Sequence, residues 1–224
     1  ETPTCSMEDN GQLKTPGERM YTGGEYLLGD EGKDYAVIKL PAETEPNAND
    51  GGPSTHYDYL RFDMDLKTIP TDSAGDQQFR DLCQGMEIYI PQHSAGWDKM
   101  LGIESTHSSE PMNSRCHVSG WYTAGCTASS GYYEVGYYCD TLGGSSGSPV
   151  ITMREEDGYH QVIALHHCGC SNCACHNLGV PINEVYADIC ANAGLASTWG
   201  CSSNIQEDPP PAVTTCPDSC STDI

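Results

Sequence analysis

Basic residues are scarce in this 224-residue chain. Ten lysines and arginines stand against 32 acids, a net charge of −22. A surface this negative repels nucleic acid and anionic membranes, so neither is an expected partner. It favours solubility and cation binding, and it suits an extracellular, salty or acidic medium. No apolar run approaches the ~18 residues of a membrane span. No signal peptide opens the chain, which reads as a mature or processed form. The acidic stretches contain no spaced Asp-x-Asp-x-Asp-Gly loop, the pattern of a dedicated calcium site, and internal repeats are missing. Residues 1–33 hold no histidine; all eight, from His56 to His176, come later.

Cysteine is abundant instead, 13 residues, alongside 24 glycines and 14 prolines. That density points to an oxidising compartment and a secreted protein. Thirteen is odd, so at least one cysteine is free, bound elsewhere or bridged to another chain. The run His166-His167-Cys168-Gly169-Cys170-Ser171-Asn172-Cys173-Ala174-Cys175-His176 offers zinc ligands. A structural zinc site, however, usually separates its C-x-x-C pairs by a loop. Disulfides to Cys139, Cys190, Cys201 or others are the preferred reading, with no metal and no cofactor required.

Periodicity is β-like along most of the chain. Asp34-Tyr35-Ala36-Val37-Ile38-Lys39-Leu40 reads as an acid opening a buried strand. Residues 41–80 are acidic and loop-rich. Met86–Ile90 alternates and ends at Pro91. Further short strands are expected near Cys116–Tyr122, Gly131–Tyr138, Val150–Met153, Gln161–His166 and Gly179–Ile182, a pattern of barrels or sandwiches. Asn183–Cys190 is the one clear helix, with Asn183 as N-cap and Val185, Ile189 and Tyr186 turned inward. After Gly200, Asp208-Pro209-Pro210-Pro211 is a stiff spacer leading to a Cys216/Cys220 pair.

The chain is organised around Cys139-Asp140-Thr141-Leu142-Gly143-Gly144-Ser145-Ser146-Gly147-Ser148-Pro149-Val150. A nucleophilic serine needs an exposed hydroxyl on a tight turn and nearby amides for the oxyanion. Glycines on both sides allow unusual backbone angles. Ser146 fits the nucleophile, and the amides of Gly144 and Ser146 fit an oxyanion hole. Gly-Ser-Ser-Gly-Ser-Pro-Val resembles the nucleophile motif of chymotrypsin-fold serine peptidases, in the form seen in glutamyl endopeptidases. The resemblance covers roughly residues 34–40 and 131–190. It implies an all-β, chymotrypsin-like double β-barrel with a short C-terminal helix, the N-terminal barrel being incomplete. On that plan residues 1–80 are the remainder of the first barrel plus an acidic insert. Residues 81–200 are the second barrel, and 201–224 a tail.

The resemblance also implies roles. Asp34 would orient the catalytic histidine. Thr141 and His166, the latter in Val162-Ile163-Ala164-Leu165-His166, would read an acidic residue of a polypeptide substrate through charge-assisted hydrogen bonds. Asp140 stands where trypsins bind lysine or arginine, so acidic, basic and neutral specificity all stay open. The histidine of an A-A-H-C motif, which should precede Asp34, is missing. It could travel on a companion chain, disulfide-linked or not; the sequence could be part of a longer protein; or the chain could be an inactive homologue. The leading expectation is thus a secreted serine endopeptidase. The alternative is a non-catalytic extracellular binding or structural protein.

Overall fold

The computed structural model describes residues 24–40, 60–107, 110–111, 114–122, 132–153, 160–169 and 176–201. Twelve strands and four helices lie among them. The chain opens with β1 (Glu25–Asp30) and β2 (Tyr35–Lys39), then β3 (Arg61–Phe62), α1 (Met64–Lys67) and α2 (Ser73–Cys83). β4 (Ile90–Gln92), β5 (Met100–Gly102), β6 (Glu104–Ser105), β7 (Ser114–Arg115), β8 (His117–Tyr122) and β9 (Glu134–Tyr138) follow. The last elements are β10 (Pro149–Met153), β11 (His160–Cys168), β12 (Asn177–Pro181), α3 (Ile182–Ala191) and α4 (Ala193–Ala196).

The centre is a six-stranded sheet in the order β10-β11-β12-β9-β8, with β3 added parallel to β11. All other pairs in it are antiparallel. β1–β2, β4–β5 and β6–β7 are separate two-stranded ribbons. The all-β expectation with short helices therefore holds. The expected double barrel does not appear among the described strands, whose pairings leave an open sheet.

β11 explains why this sheet is the core. Gln161, Val162, Ile163 and Ala164 are consecutive and all buried. A strand buried on successive residues must be covered on both faces. α3 lies against β11 and β12, and it turns in Val185, Tyr186 and Ile189, as its 3.6-residue period requires. Ile151, Val135, Val118 and Val180 complete the layer. Each such side chain contributes roughly 1.5–3 kcal/mol by leaving water. The helix begins two residues earlier than expected. Pro181 is its N-cap position, and Asn183 lies inside it, buried.

The segment read as an acidic loop holds two helices within residues 60–83. Their acids cap them: Asp63 Oδ1 accepts from Asp65 and Leu66 amides, and Asp72 Oδ1 from Ala74 and Gly75 amides. α2 packs Phe79 edge-on against Trp121 of β8, 5.1 Å between centroids. Gly75 makes this possible, because a Cβ there would lie 1.7 Å from the Pro70 carbonyl oxygen. Residues 41–59 and the tail from 202 onward lie outside the described residues.

Two disulfides brace the described fold. Cys116–Cys139 joins the approaches to β8 and the end of β9, and Cys190–Cys201 ties α3 to the residues after α4. Closing the first loop stabilises by about 3 kcal/mol. The partners named for the Cys168–Cys175 run, Cys139, Cys190 and Cys201, are thus taken elsewhere, while Cys168 of that run is disulfide-bonded, in line with the disulfide reading. Residues 170–175 lie outside the described residues.

Candidate functional site

The turn from Asp140 to Ser148 links β9 to β10 and is fastened at several points. Gly147 N–H donates to the His166 carbonyl at 2.7 Å, and His166 N–H to the Ser148 carbonyl at 2.9 Å. Ala95 N–H donates to the Gly143 carbonyl at 2.7 Å. Gly144 has φ +98°, a conformation that a side chain resists, and a Cβ there would sit 3.1 Å from the His93 carbonyl. The two serines then diverge. Ser145 is buried; its hydroxyl donates to Gln92 Oε1 at 2.7 Å and lies 3.0 Å from Ser94 Oγ. Gln92 Nε2 donates onward to the Asp140 carbonyl at 2.8 Å. Ser146 is exposed, and its hydroxyl reaches only the His167 carbonyl oxygen, at a weak 3.5 Å.

The amides of Gly144 and Ser146 meet no acceptor among the described residues. No imidazole nitrogen among the described residues bonds the Ser146 hydroxyl. The histidine whose backbone this hydroxyl reaches is His167. Its ring is buried, with Nε2 3.1 Å from the buried Glu134 Oε1 and Nδ1 3.6 Å from Asp34 Oδ2. Both nitrogens face carboxylates, so neither has a lone pair directed at a serine. Asp34 thus stands beside the ring of His167, not beside a histidine that precedes it in the chain, as the resemblance implied.

His166 points to the opposite face of β11 and is buried. Its Nδ1 lies 2.6 Å from the Tyr137 hydroxyl, which donates to the Leu178 carbonyl at 3.1 Å. Since that carbonyl only accepts, the histidine is the donor to the tyrosine. Burial, helped by the nearby His167, pushes the His166 pKa down to about 4. The ring is neutral at neutral pH and offers no charge to an acidic side chain. Asp140 turns its carboxylate towards Thr106, accepting from its amide at 2.9 Å and its hydroxyl at 3.0 Å. Thr141 lies beside Gly169, its Oγ1 3.8 Å from where a Cβ would stand. Thr141, His166 and Ser146 thus belong to one neighbourhood around β11, whereas Asp140 faces the end of β6 and Asp34 faces the His167 ring.

Sequence reasoning missed the cluster that holds the β1–β2 turn. Lys33 Nζ bridges Glu184 and Asp188 of α3, each at 2.9 Å, and the Tyr35 hydroxyl donates to Asp188 at 2.8 Å. Burial works against the lysine charge, but the hydrogen bonds and charges of Asp188 and Glu184 outweigh it and raise the Lys33 pKa. Burial raises that of Glu184, with Lys33 opposing. The adjacent His166-His167 pair carried one signal: neighbours on a strand face opposite ways. Nothing local to Glu134 announced a buried acid.

Among the described residues, no group of three or more His, Cys, Asp or Glu side chains is arranged to hold a metal ion. No described helix is long and apolar enough to cross a membrane.

No protein-family profile matches the chain. Over 172 residues, 76% of the chain, it is 31% identical to the secreted RxLR effector protein 73 of Plasmopara viticola. The chain spans about a third of that relative's length. This overturns the peptidase reading. The relative is described as a secreted effector, and no family profile supports the chymotrypsin-fold, glutamyl-endopeptidase-like assignment. Serine endopeptidase activity, and with it the catalytic roles given to Asp34, Ser146 and Gly144, loses its basis. The physical reason is visible at the turn: a Gly-Ser-Ser-Gly-Ser-Pro sequence also serves to bury one serine as a structural clamp.

Proposed function

We propose that this chain is a non-enzymatic binding part of a secreted, effector-like protein. The protein is extracellular: two disulfides brace its described residues, and the relative is a secreted protein. The observation that carries the reading is the 31% identity to an effector across three quarters of the chain. The Ser146 environment supports it, since an exposed hydroxyl that meets no base among the described residues is a poor nucleophile. The strongly negative charge makes a polypeptide a better partner than nucleic acid or an anionic membrane. Thr141, His166 and Asp140 then belong to the scaffold, positioning the turn and not reading a substrate.

Turnover tests this directly. The secreted chain is incubated with casein and with peptide series carrying acidic, basic and neutral residues. No cleavage above that of a Ser146→Ala variant is expected. Cleavage that disappears in the variant would overturn the reading.

A further inference from the structure

The β1–β2 ribbon lies outside the central sheet. Among the described residues, no backbone hydrogen bond links 24–40 to another part of the chain. The ribbon's polar ties there all leave from three consecutive residues at its turn. Lys33 Nζ reaches Glu184 and Asp188 of α3, the Tyr35 hydroxyl reaches Asp188, and Asp34 Oδ2 stands 3.6 Å from His167 Nδ1. Half-buried Leu28 and Val37 add apolar packing, and Tyr35 is the one buried residue of the two strands. Tyr26, Ile38 and Leu40 are turned to solvent. Asp34 is held at φ +54°, a backbone shape that its surroundings impose. The His167 ring beside it is only 2% exposed, and its Nε2 faces the fully buried Glu134.

A two-stranded ribbon on its own is marginally stable at best in water, so this one keeps its cross-strand bonds only while it stays docked. Its docking rests on a few apolar groups and on ion pairs, and ion pairs near a surface weaken as salt rises. A region held by so little opens locally, at a lower free energy than global unfolding. The central sheet is the opposite case: β11 is buried on consecutive residues and bonded to a strand on each side. We propose that β1–β2 is a strap that lifts from α3 and β11 as one unit while the central sheet stays folded. Lys33 on Glu184 and Asp188 is its salt-sensitive latch, and lifting bares the His167 ring and Glu134 to water. This device goes beyond the binding reading above and does not depend on it.

Native-state hydrogen exchange followed by NMR tests the strap on the intact chain. The paired amides of β1 and β2 are expected to share one opening, at least about tenfold more frequent than that of Val162–Ala164 in β11. Raising salt from about 0.05 to about 1 M should speed the ribbon several-fold and leave β11 within about twofold. Lys33→Ala should speed the ribbon about fivefold at low salt and remove its salt response. Lys99→Ala, which deletes an equal charge at an exposed site, should change the ribbon less than about twofold. Protection of β11 in each variant verifies folding. Diethylpyrocarbonate, which acylates accessible neutral imidazoles, then reads the baring of the ring, with adducts mapped by mass spectrometry. His167 should label far more slowly than the exposed His93, and should speed up in Lys33→Ala in step with the ribbon amides. His166, buried on the opposite face of β11, should keep its wild-type rate. Ribbon exchange at the β11 rate, residue-by-residue fraying without a shared opening, or equal effects of Lys33→Ala and Lys99→Ala would overturn the proposal. So would a His167 labelling rate that Lys33→Ala leaves unmoved.

Discussion

Two turns carry the peptidase-like sequence of this protein, and they are fastened by different physics. The turn at Ser146 is clamped by neutral groups: Ser145, Ser94 and Gln92 in a buried hydrogen-bonded set. The turn at Asp34 is clamped by charge: Lys33 on Glu184 and Asp188, and Asp34 beside His167 and Glu134. A motif residue at either place is explained by what it holds in position. The difference has consequences, because neutral buried bonds respond little to salt and pH while ion pairs respond to both.

The largest effect is expected at the buried end of the charged cluster. His167→Ala leaves Glu134 buried without its imidazole, and breaking a buried pair from one side costs about 3–5 kcal/mol. Chemical denaturation should show that loss; a change below about 1 kcal/mol would mean that the pair is not a structural clamp.

His166 gives the next effect, through pH. Its folded pKa of about 4 lies below the ordinary 6.5, so burial favours the neutral ring. The associated stability is fully present above pH 6.5 and is lost as pH falls towards 4, by about 3 kcal/mol in all. His166→Gln should flatten the stability profile across that window. An unchanged slope in the variant would remove His166 as its source.

The neutral clamp comes third. Ser145→Ala strands Gln92 Oε1 in the interior and should cost about 1–3 kcal/mol, equally at low and high salt. Lys33→Ala should cost less, about 1 kcal/mol after solvent screening, and its effect should shrink in 1 M salt. Hydrogen exchange in Tyr35–Lys39 reads this locally. Because the Lys33 pKa is raised, its contribution persists below pH 10.5 and fades only above its folded value. If Ser145→Ala proves the salt-sensitive variant and Lys33→Ala the insensitive one, the contrast between the turns collapses.

Much of the sheet was legible beforehand. Val162–Ala164, Val150–Ile151 and the inward face of Asn183–Cys190 announced themselves by apolar runs and period. The helices in 60–83 were not legible, because their acids were read as solvated loop. Asp63 and Asp72 are instead caps, which a residue-by-residue reading of Asp followed by a helix-forming stretch could have found. The site misled for a related reason. Ser146, Gly144 and Asp34 match a catalytic pattern locally, but catalysis depends on a third group's position in space. Where the His167 ring points is set by Glu134, thirty-three residues away in the chain, and no local pattern carries that.

The central claim is that Ser146 is an unactivated hydroxyl on a binding scaffold. The most direct measurement treats the natively secreted protein with a fluorophosphonate probe and maps adducts by mass spectrometry, since such probes require an activated serine. The account predicts folded protein with Ser146 unlabelled. A stoichiometric adduct on Ser146 would contradict it, showing that a working base reaches that hydroxyl.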